Sequence, residues 1–252
     1  LGDVYKRQEL DNLMIKELEE IRGLYGEDRK STISKDEGLL NREDMIKKED
    51  VIVVLTEANY VKRMPITEFK SQRRGRRGVN PANFKQRDKA KLIVCAHTHD
   101  TILCFSTVGK VYSIRVFDIP DPSRQARGRP INNILPLSEG ESISSFVVVN
   151  SFDDGYLFMS TRLGMINKIP ISLFKKIRAT GLKAIVLKEN DEVLGAHYVK
   201  TDDNIMLVAD NGKVIRFNES DVRERFRGTL GVKGISLGKD NKLTSILKPL
   251  TG

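Results

Sequence analysis

Ile102-Leu103-Cys104-Phe105-Ser106-Thr107-Val108-Gly109-Lys110-Val111-Tyr112 reads as two short apolar runs folded back on one another. A surface helix would space its apolar residues at three- and four-residue steps. Here they crowd into short runs on either side of a turn, which is the pattern of a β-hairpin. Gly109 supplies the positive φ that a tight hairpin demands. The same unit recurs along the chain. Val51–Leu55 precedes Asn59 and Tyr60-Val61-Lys62-Arg63, Leu157–Met159 precedes Gly164 and Met165-Ile166-Asn167, and Ile205–Val208 precedes Gly212 and Lys213-Val214-Ile215-Arg216. The turn residues at 59, 109, 164 and 212 are 50, 55 and 48 residues apart, a period that marks a repeated supersecondary unit.

A second row of glycines, Gly75, Gly128, Gly181 and Gly231, keeps step with the hairpins and is followed by the apolar residues Val79, Ile131, Ile185 and Ile235. A further strand follows each hairpin, in Leu92–Ala96, Phe146–Val149, Val193–Val199 and Leu243–Leu247. The last of these is expected to open a fifth unit. Four-stranded units of about 50 residues bury their faces against one another in radial arrays. The expected fold is therefore all-β and propeller-like, with four units and the start of a fifth over residues 51–252.

Residues 1–8, Leu-Gly-Asp-Val-Tyr-Lys-Arg-Gln, resemble translated sequencing adaptor and are set aside from fold reasoning. On that expectation the chain is an internal piece of a longer protein. Over residues 9–26, Leu10, Leu13, Met14, Leu18, Ile21 and Leu24 recur at helical spacing and Gly26 can end the helix. The polar residues 27–50 read as a linker.

The 252 residues carry 43 Lys and Arg against 34 Asp and Glu, a net charge of +9, which favours a polyanionic partner. No stretch holds the roughly 20 apolar residues of a membrane helix, and the N-terminus lacks a secretory pattern, so a cytoplasmic location is expected. Two cysteines, Cys95 and Cys104, make no disulfide framework.

Gln72-Arg73-Arg74-Gly75-Arg76-Arg77-Gly78-Val79 places four arginines and two glycines in eight residues. A guanidinium grips phosphate with two parallel hydrogen bonds, and glycine lets backbone N–H groups come close to it. Alone, such a run is most often a solvated face. This one resembles the Gln-Arg-Arg-Gly-Gly-Lys-Gly box in the first blade of the C-terminal domain of bacterial DNA gyrase A subunits, with Arg76 for the second glycine and Arg77 for the lysine. The likeness extends through Val53-Val54-Leu55-Thr56, Tyr60–Arg63, Phe105–Tyr112 and Ala126-Arg127-Gly128-Arg129-Pro130, and covers about residues 9–252.

The resemblance implies a β-pinwheel, a propeller-like array whose neighbouring blades exchange strands, with duplex DNA bent around a basic rim. Residues 9–26 are similar to the end of the coiled coil that precedes that domain. Wrapping implies a role in ATP-dependent negative supercoiling. The implied partners are duplex DNA, a second gyrase A subunit and the gyrase B subunit, within an A2B2 heterotetramer. ATP and Mg2+ act through the B subunit, and no cofactor is expected in this fragment. The resemblance places DNA contacts at Gln72, Arg73, Arg74, Gly75, Arg76, Arg77 and Gly78. The basic residues that recur with the blades join them: Lys62, Arg63, Lys110, Arg115, Arg127, Arg129, Lys168, Lys176, Arg178, Arg216 and Arg227.

No tyrosine follows an arginine, as the cleavage tyrosine of the family does, and no phosphate-binding G-x-x-x-x-G-K-[ST] loop is present. The fragment is expected to be inactive alone. Cys95, His97 and His99 alternate onto one face of a strand, but their spacing is not that of structural zinc ligands. Asp153-Asp154 and Asp202-Asp203 sit just before strands, where Asp is a common turn residue. Two other readings stand beside gyrase: the A-type subunit of topoisomerase IV, whose box is usually degenerate, and a propeller-like protein-binding scaffold, which would show scattered charge.

Overall fold

The computed structural model describes residues 2–27, 31, 42–68, 88–122, 126–238 and 240–249. The chain forms two compact units, residues 1–41 and 42–252. In the first, helix α1 (Gly2–Tyr25) ends where the Gly26 N–H donates to the Arg22 carbonyl at 2.8 Å, with Arg22 in the last turn opposing the negative end of the helix dipole. The helix continues through the residues set aside as adaptor-like. Its apolar residues from Leu10 to Leu24 are all exposed.

The second unit consists of short antiparallel strands. These are β1 (Asp50–Thr56), β2 (Tyr60–Pro65), β3 (Ala90–His97), β4 (Thr101–Ser106), β5 (Lys110–Arg115), β6 (Arg129–Pro130), β7 (Ile143–Val149) and β8 (Tyr156–Thr161). They continue with β9 (Met165–Pro170), β10 (Leu182–Lys183), β11 (Val193–Val199), β12 (Asn204–Ala209), β13 (Val214–Asn218), β14 (Val232–Lys233) and β15 (Leu243–Leu247). The sheets run β3-β1-β2-β6, β10-β5-β4-β7, β11-β8-β9-β14 and β13-β12-β15.

Each hairpin turns at a residue of positive φ, Asn59 (60°), Gly109 (84°), Gly164 (81°) or Gly212 (77°), as their spacing predicts. The central strands read as apolar runs because both their faces are covered. Ile102 and Cys104 of β4 pack with Val53 and Leu55 of the first sheet, while Leu103 and Phe105 pack with Leu157 and Met159 of the third. Phe158 faces Ile205 and Leu207 of the fourth in the same way. A strand buried on both faces shows no alternation.

The two-residue strands carry the topology. β6 follows the hairpin of the second sheet but pairs with β2 of the first, Val61 opposite Arg129. β10 crosses from the third sheet to β5 of the second, and β14 from the fourth to β9 of the third. Each crossover enters through a glycine of positive φ: Gly128, Gly181 or Gly231. A Cβ at Gly128 would lie 2.5 Å from the Val61 carbonyl oxygen, and one at Gly181 would lie 2.6 Å from the Tyr112 ring, so no other residue fits without displacing the neighbouring strand.

Two expectations are corrected. Leu243–Leu247 does not open a fifth unit. It pairs with β12, Leu207 opposite Ile246, and closes the fourth sheet as β3, β7 and β11 close theirs. The linker does not extend to residue 50, because residues from Arg42 onward belong to the second unit. Thr98 holds them there: its N–H donates to the Glu49 carbonyl at 3.0 Å and its hydroxyl to the Lys47 carbonyl at 2.9 Å.

Candidate nucleic-acid interface

Every exchanged strand exposes one cation and tucks its other residue inward. The cation is Arg129 on β6, Lys183 on β10 and Lys233 on β14. None of the three has a carboxylate partner among the described residues. The box residues Gln72, Arg73, Arg74, Gly75, Arg76, Arg77 and Gly78 lie outside the described residues. In the sequence, Gly75 keeps the spacing of the three crossover glycines.

Among the described residues, a group of cations surrounds β10. Lys176, Arg178, Lys183 and Arg227, with the backbone of Thr180–Leu182, line an open cleft of about 700 Å³. Arg227 is fixed by donating from Nη1 to the Leu173 carbonyl at 2.8 Å, which leaves its other nitrogens free for a ligand. Arg178, Lys176 and Lys183 make no ion pair among the described residues. Such a concentration of uncompensated charge suits phosphate.

The other basic candidates divide by environment. Arg127 is exposed, its guanidinium stacked 4.4 Å over the Tyr60 ring, and it stands next to Arg129 on the same crossover. Arg216 is exposed and donates from Nε to Asn204 at 3.3 Å. Arg63 is half-buried, with its Nε unpartnered among the described residues. Arg115 is engaged by the segment before β1: Nη2 meets Glu43 Oε1 at 2.5 Å and Nη1 donates to the Thr101 hydroxyl at 3.1 Å. Lys110 lies 3.8 Å from Glu141 Oε2. Burial alone would raise the Glu141 carboxyl. The hydrogen bonds donated by the Ser138 N–H and by the Ser106 and Tyr112 hydroxyls, together with the charge of Lys110, outweigh burial and hold it below its usual range.

Two candidates are structural residues and not DNA contacts. Lys62 is 2% exposed, and its ammonium donates to the Ala126 carbonyl at 3.1 Å, tying β2 to the crossover that β6 continues. Lys168 is 6% exposed; it pairs with the Glu219 carboxylate, donates to the Glu219 carbonyl at 3.2 Å and lies 4.3 Å above the Tyr156 ring. A cation enclosed in this way cannot reach phosphate. Sequence reasoning in turn missed Lys183 and Lys233, although each follows its glycine by two residues, as Arg77 follows Gly75.

The histidine cluster serves the fold. His99 Nε2 shares a hydrogen bond with the Glu43 carbonyl at 3.1 Å, and Cys104 is fully buried on β4, where desolvation pushes its thiol far above the usual range. No three His, Cys, Asp or Glu side chains converge on a common point among the described residues. No helix among the described residues is long and apolar enough to cross a membrane.

Four repeated antiparallel units, linked by strands passed back to the preceding unit and carrying bare cations on those strands, define a β-pinwheel of the propeller-like class. The chain belongs to the family described as the DNA gyrase C-terminal domain, beta-propeller, whose model matches residues 50–93, 100–150, 155–200 and 203–249. It is 40% identical over 234 residues to the DNA gyrase A subunit of Salmonella typhimurium, covering 92% of this chain and 27% of that protein. It is 46% identical over 204 residues to that of Aeromonas salmonicida, covering 81% and 22%. The chain thus spans about a quarter of the length of these relatives. Among solved structures it is similar to a DNA gyrase A C-terminal domain, with a TM-score of 0.67 and 29% identity over 79% of this chain and 65% of that one. It is equally similar in fold to a C-terminal domain of DNA topoisomerase IV, with a TM-score of 0.67 and 28% identity over 82% and 63%.

Proposed function

We propose that residues 42–252 bind and wrap duplex DNA as part of a bacterial gyrase A subunit, and that the whole enzyme uses this wrap for ATP-dependent negative supercoiling. The observation that carries the reading is a bare cation on each exchanged strand of three successive units, Arg129 one residue after its crossover glycine and Lys183 and Lys233 two residues after theirs. Repetition in space matches a repeating ligand. A duplex offers a phosphate to each unit, and contacts to phosphate fix its path without reading its sequence. A smooth bend of about 40 to 90° over 20 to 30 base pairs costs on the order of 1 to 6 kcal/mol, which contacts spread over several units offset.

The proposed contacts are the box residues Gln72–Gly78, the exposed cations Arg127, Arg129, Lys176, Arg178, Lys183, Arg216, Arg227 and Lys233, and Arg63. Arg115 joins them when phosphate replaces Glu43, and Lys110 when its exposed ammonium turns from Glu141 to phosphate. The cleavage tyrosine, the B subunit with its ATP and Mg2+, and the second A subunit of the A2B2 assembly belong to the rest of a cytoplasmic enzyme, so this fragment is inactive alone. The topoisomerase IV A-type subunit is the second reading, favoured by the equal likeness in fold; the box favours gyrase.

The test is a titration of unrelated duplexes at several salt concentrations. Each phosphate contact contributes about −0.9 to the slope of log affinity against log salt, so the slope should reach several units, and Arg129→Ala should reduce it by about 1. Affinity independent of salt, or no binding at low salt, would overturn the reading.

A further inference from the structure

We propose that Phe226 is a wedge that enters bound duplex DNA and kinks it, beside the phosphate-binding cleft formed by Lys176, Arg178, Lys183 and Arg227. The inference rests on the DNA-binding reading above and adds to it a point at which the bend is concentrated.

Phe226 is 76% exposed. Single exposed apolar residues are ordinary on protein surfaces, so exposure alone means little. Three further observations separate this ring from an incidental one. First, it stands on a fixed turn. The Arg225 N–H donates to the Lys168 carbonyl at 2.9 Å, the Phe226 carbonyl accepts from the Thr229 hydroxyl at 2.9 Å, and the Gly228 N–H donates to the Ala184 carbonyl at 2.8 Å. The backbone that carries the ring is therefore held in advance of binding. Second, the exposure belongs to the repeat. Phe226 precedes the crossover glycine Gly231 by five residues, as Lys176 precedes Gly181. Lys176 is exposed although its sheet has neighbours on both sides. The position faces outward in both units and carries a cation in one and an aromatic ring in the next. Third, Phe226 is bonded directly to Arg227, which lines the cleft where four cations lack carboxylate partners among the described residues. Charge complementarity selects a polyanion as the occupant.

An apolar ring planted among phosphate-binding cations has a defined use on duplex DNA. Inserted from the minor groove between two base pairs, it partly unstacks them and bends the helix away from itself. Pyrimidine–purine steps unstack at least cost, so the wedge creates a preference for such steps without a single hydrogen bond to a base.

The experiment measures binding and end-to-end energy transfer on doubly labelled duplexes that differ only in a central TA or GC step, using the full 252-residue chain at nanomolar concentration. The intact chain should prefer the TA duplex by about three- to tenfold and bend it more. Phe226→Ala should bring the two duplexes to within about twofold and reduce the bend while leaving the salt slope unchanged. Phe226→Leu should restore both. Equal bending and equal step preference in the intact chain and Phe226→Ala would overturn the wedge alone. Tighter binding of single strands than of duplex would also overturn it, making the ring a stacking platform. Failure of the intact chain to bind any duplex at low salt would instead sink the DNA-binding reading and the wedge with it.

Discussion

Lys62 and Ala126 are 64 residues apart in the chain, and the Lys62 ammonium donates a hydrogen bond to the Ala126 carbonyl at 3.1 Å. The bond joins the hairpin of the first sheet to the crossover that the second sheet sends back to it. The equivalent site in the second sheet is filled by Tyr112, whose hydroxyl donates to Glu141 at 2.9 Å, and in the third by Asn167, whose amide donates to Thr229 at 3.2 Å. The first and third of these donors anchor the incoming crossover, whereas Tyr112 bonds Glu141 just ahead of β7 in its own sheet and meets the incoming segment through its ring, which packs at Gly181.

Lys62→Ala is expected to lower stability by about 1 to 3 kcal/mol, because it leaves a carbonyl without its donor and an empty space beneath the crossover. DNA affinity of the folded variant should not change. Arg129→Ala should do the reverse. Denaturant unfolding and duplex titration on the same two variants check the assignment.

Lys168 and Glu219 form a buried pair that links the third hairpin to the crossover from the fourth. Replacing either partner alone, as Lys168→Met or Glu219→Leu, should cost about 3 to 5 kcal/mol, since the remaining charge is stranded. The double replacement should cost less than the sum. A double-mutant cycle by chemical denaturation measures the difference, and additive losses would show that the pair is not coupled.

The hairpins are legible in the sequence because Asn59, Gly109, Gly164 and Gly212 punctuate runs of apolar residues at a steady period. The strand exchange enters only through family resemblance, because two-residue strands such as Arg129–Pro130 carry no periodicity. Leu243–Leu247 is ambiguous for a related reason: an apolar run after a hairpin has the same pattern whether it closes one sheet or begins the next. Lys62 and Lys168 read as surface contacts in the sequence and are not. Both faces of their strands are covered, so alternation gives no sign of which cations point inward, and only the sheet register shows it.

His197 of β11 donates from Nε2 to the Ile246 carbonyl of β15, at 3.0 Å, and so joins the third sheet to the fourth. Burial holds its imidazole below the usual value of 6.5, and Lys248 pushes the same way, while the bond to Ile246 acts in the opposite direction. A base with a depressed folded value is neutral in the native state over a wider pH range than in the unfolded chain. Its contribution to stability is complete above about pH 6.5 and is lost as pH falls through the lower folded value. Between about pH 8 and pH 5 the intact chain should lose stability relative to His197→Gln, measured as a shift in denaturation midpoint.

The outer edge of β13 has no strand beside it among the described residues. Val214 is 54% exposed, whereas its counterparts Val61 and Val111, covered by β6 and β10, are fully buried. An open, apolar edge recruits strands from other molecules. The chain should therefore self-associate at micromolar concentration, and Val214→Lys should suppress this without changing the unfolding midpoint. Sedimentation at several concentrations reads the outcome.

Wrapping makes a demand that simple binding does not: the path of the duplex must turn consistently in one direction. The direct measurement is to ligate a nicked circular DNA with and without the bound chain, remove the protein and compare the topoisomers. The account predicts a change in linking number of a single sign that grows with the amount of protein bound and fades at high salt as phosphate contacts are lost. Saturating binding with an unchanged topoisomer distribution would contradict it, showing a basic surface that holds DNA without wrapping it.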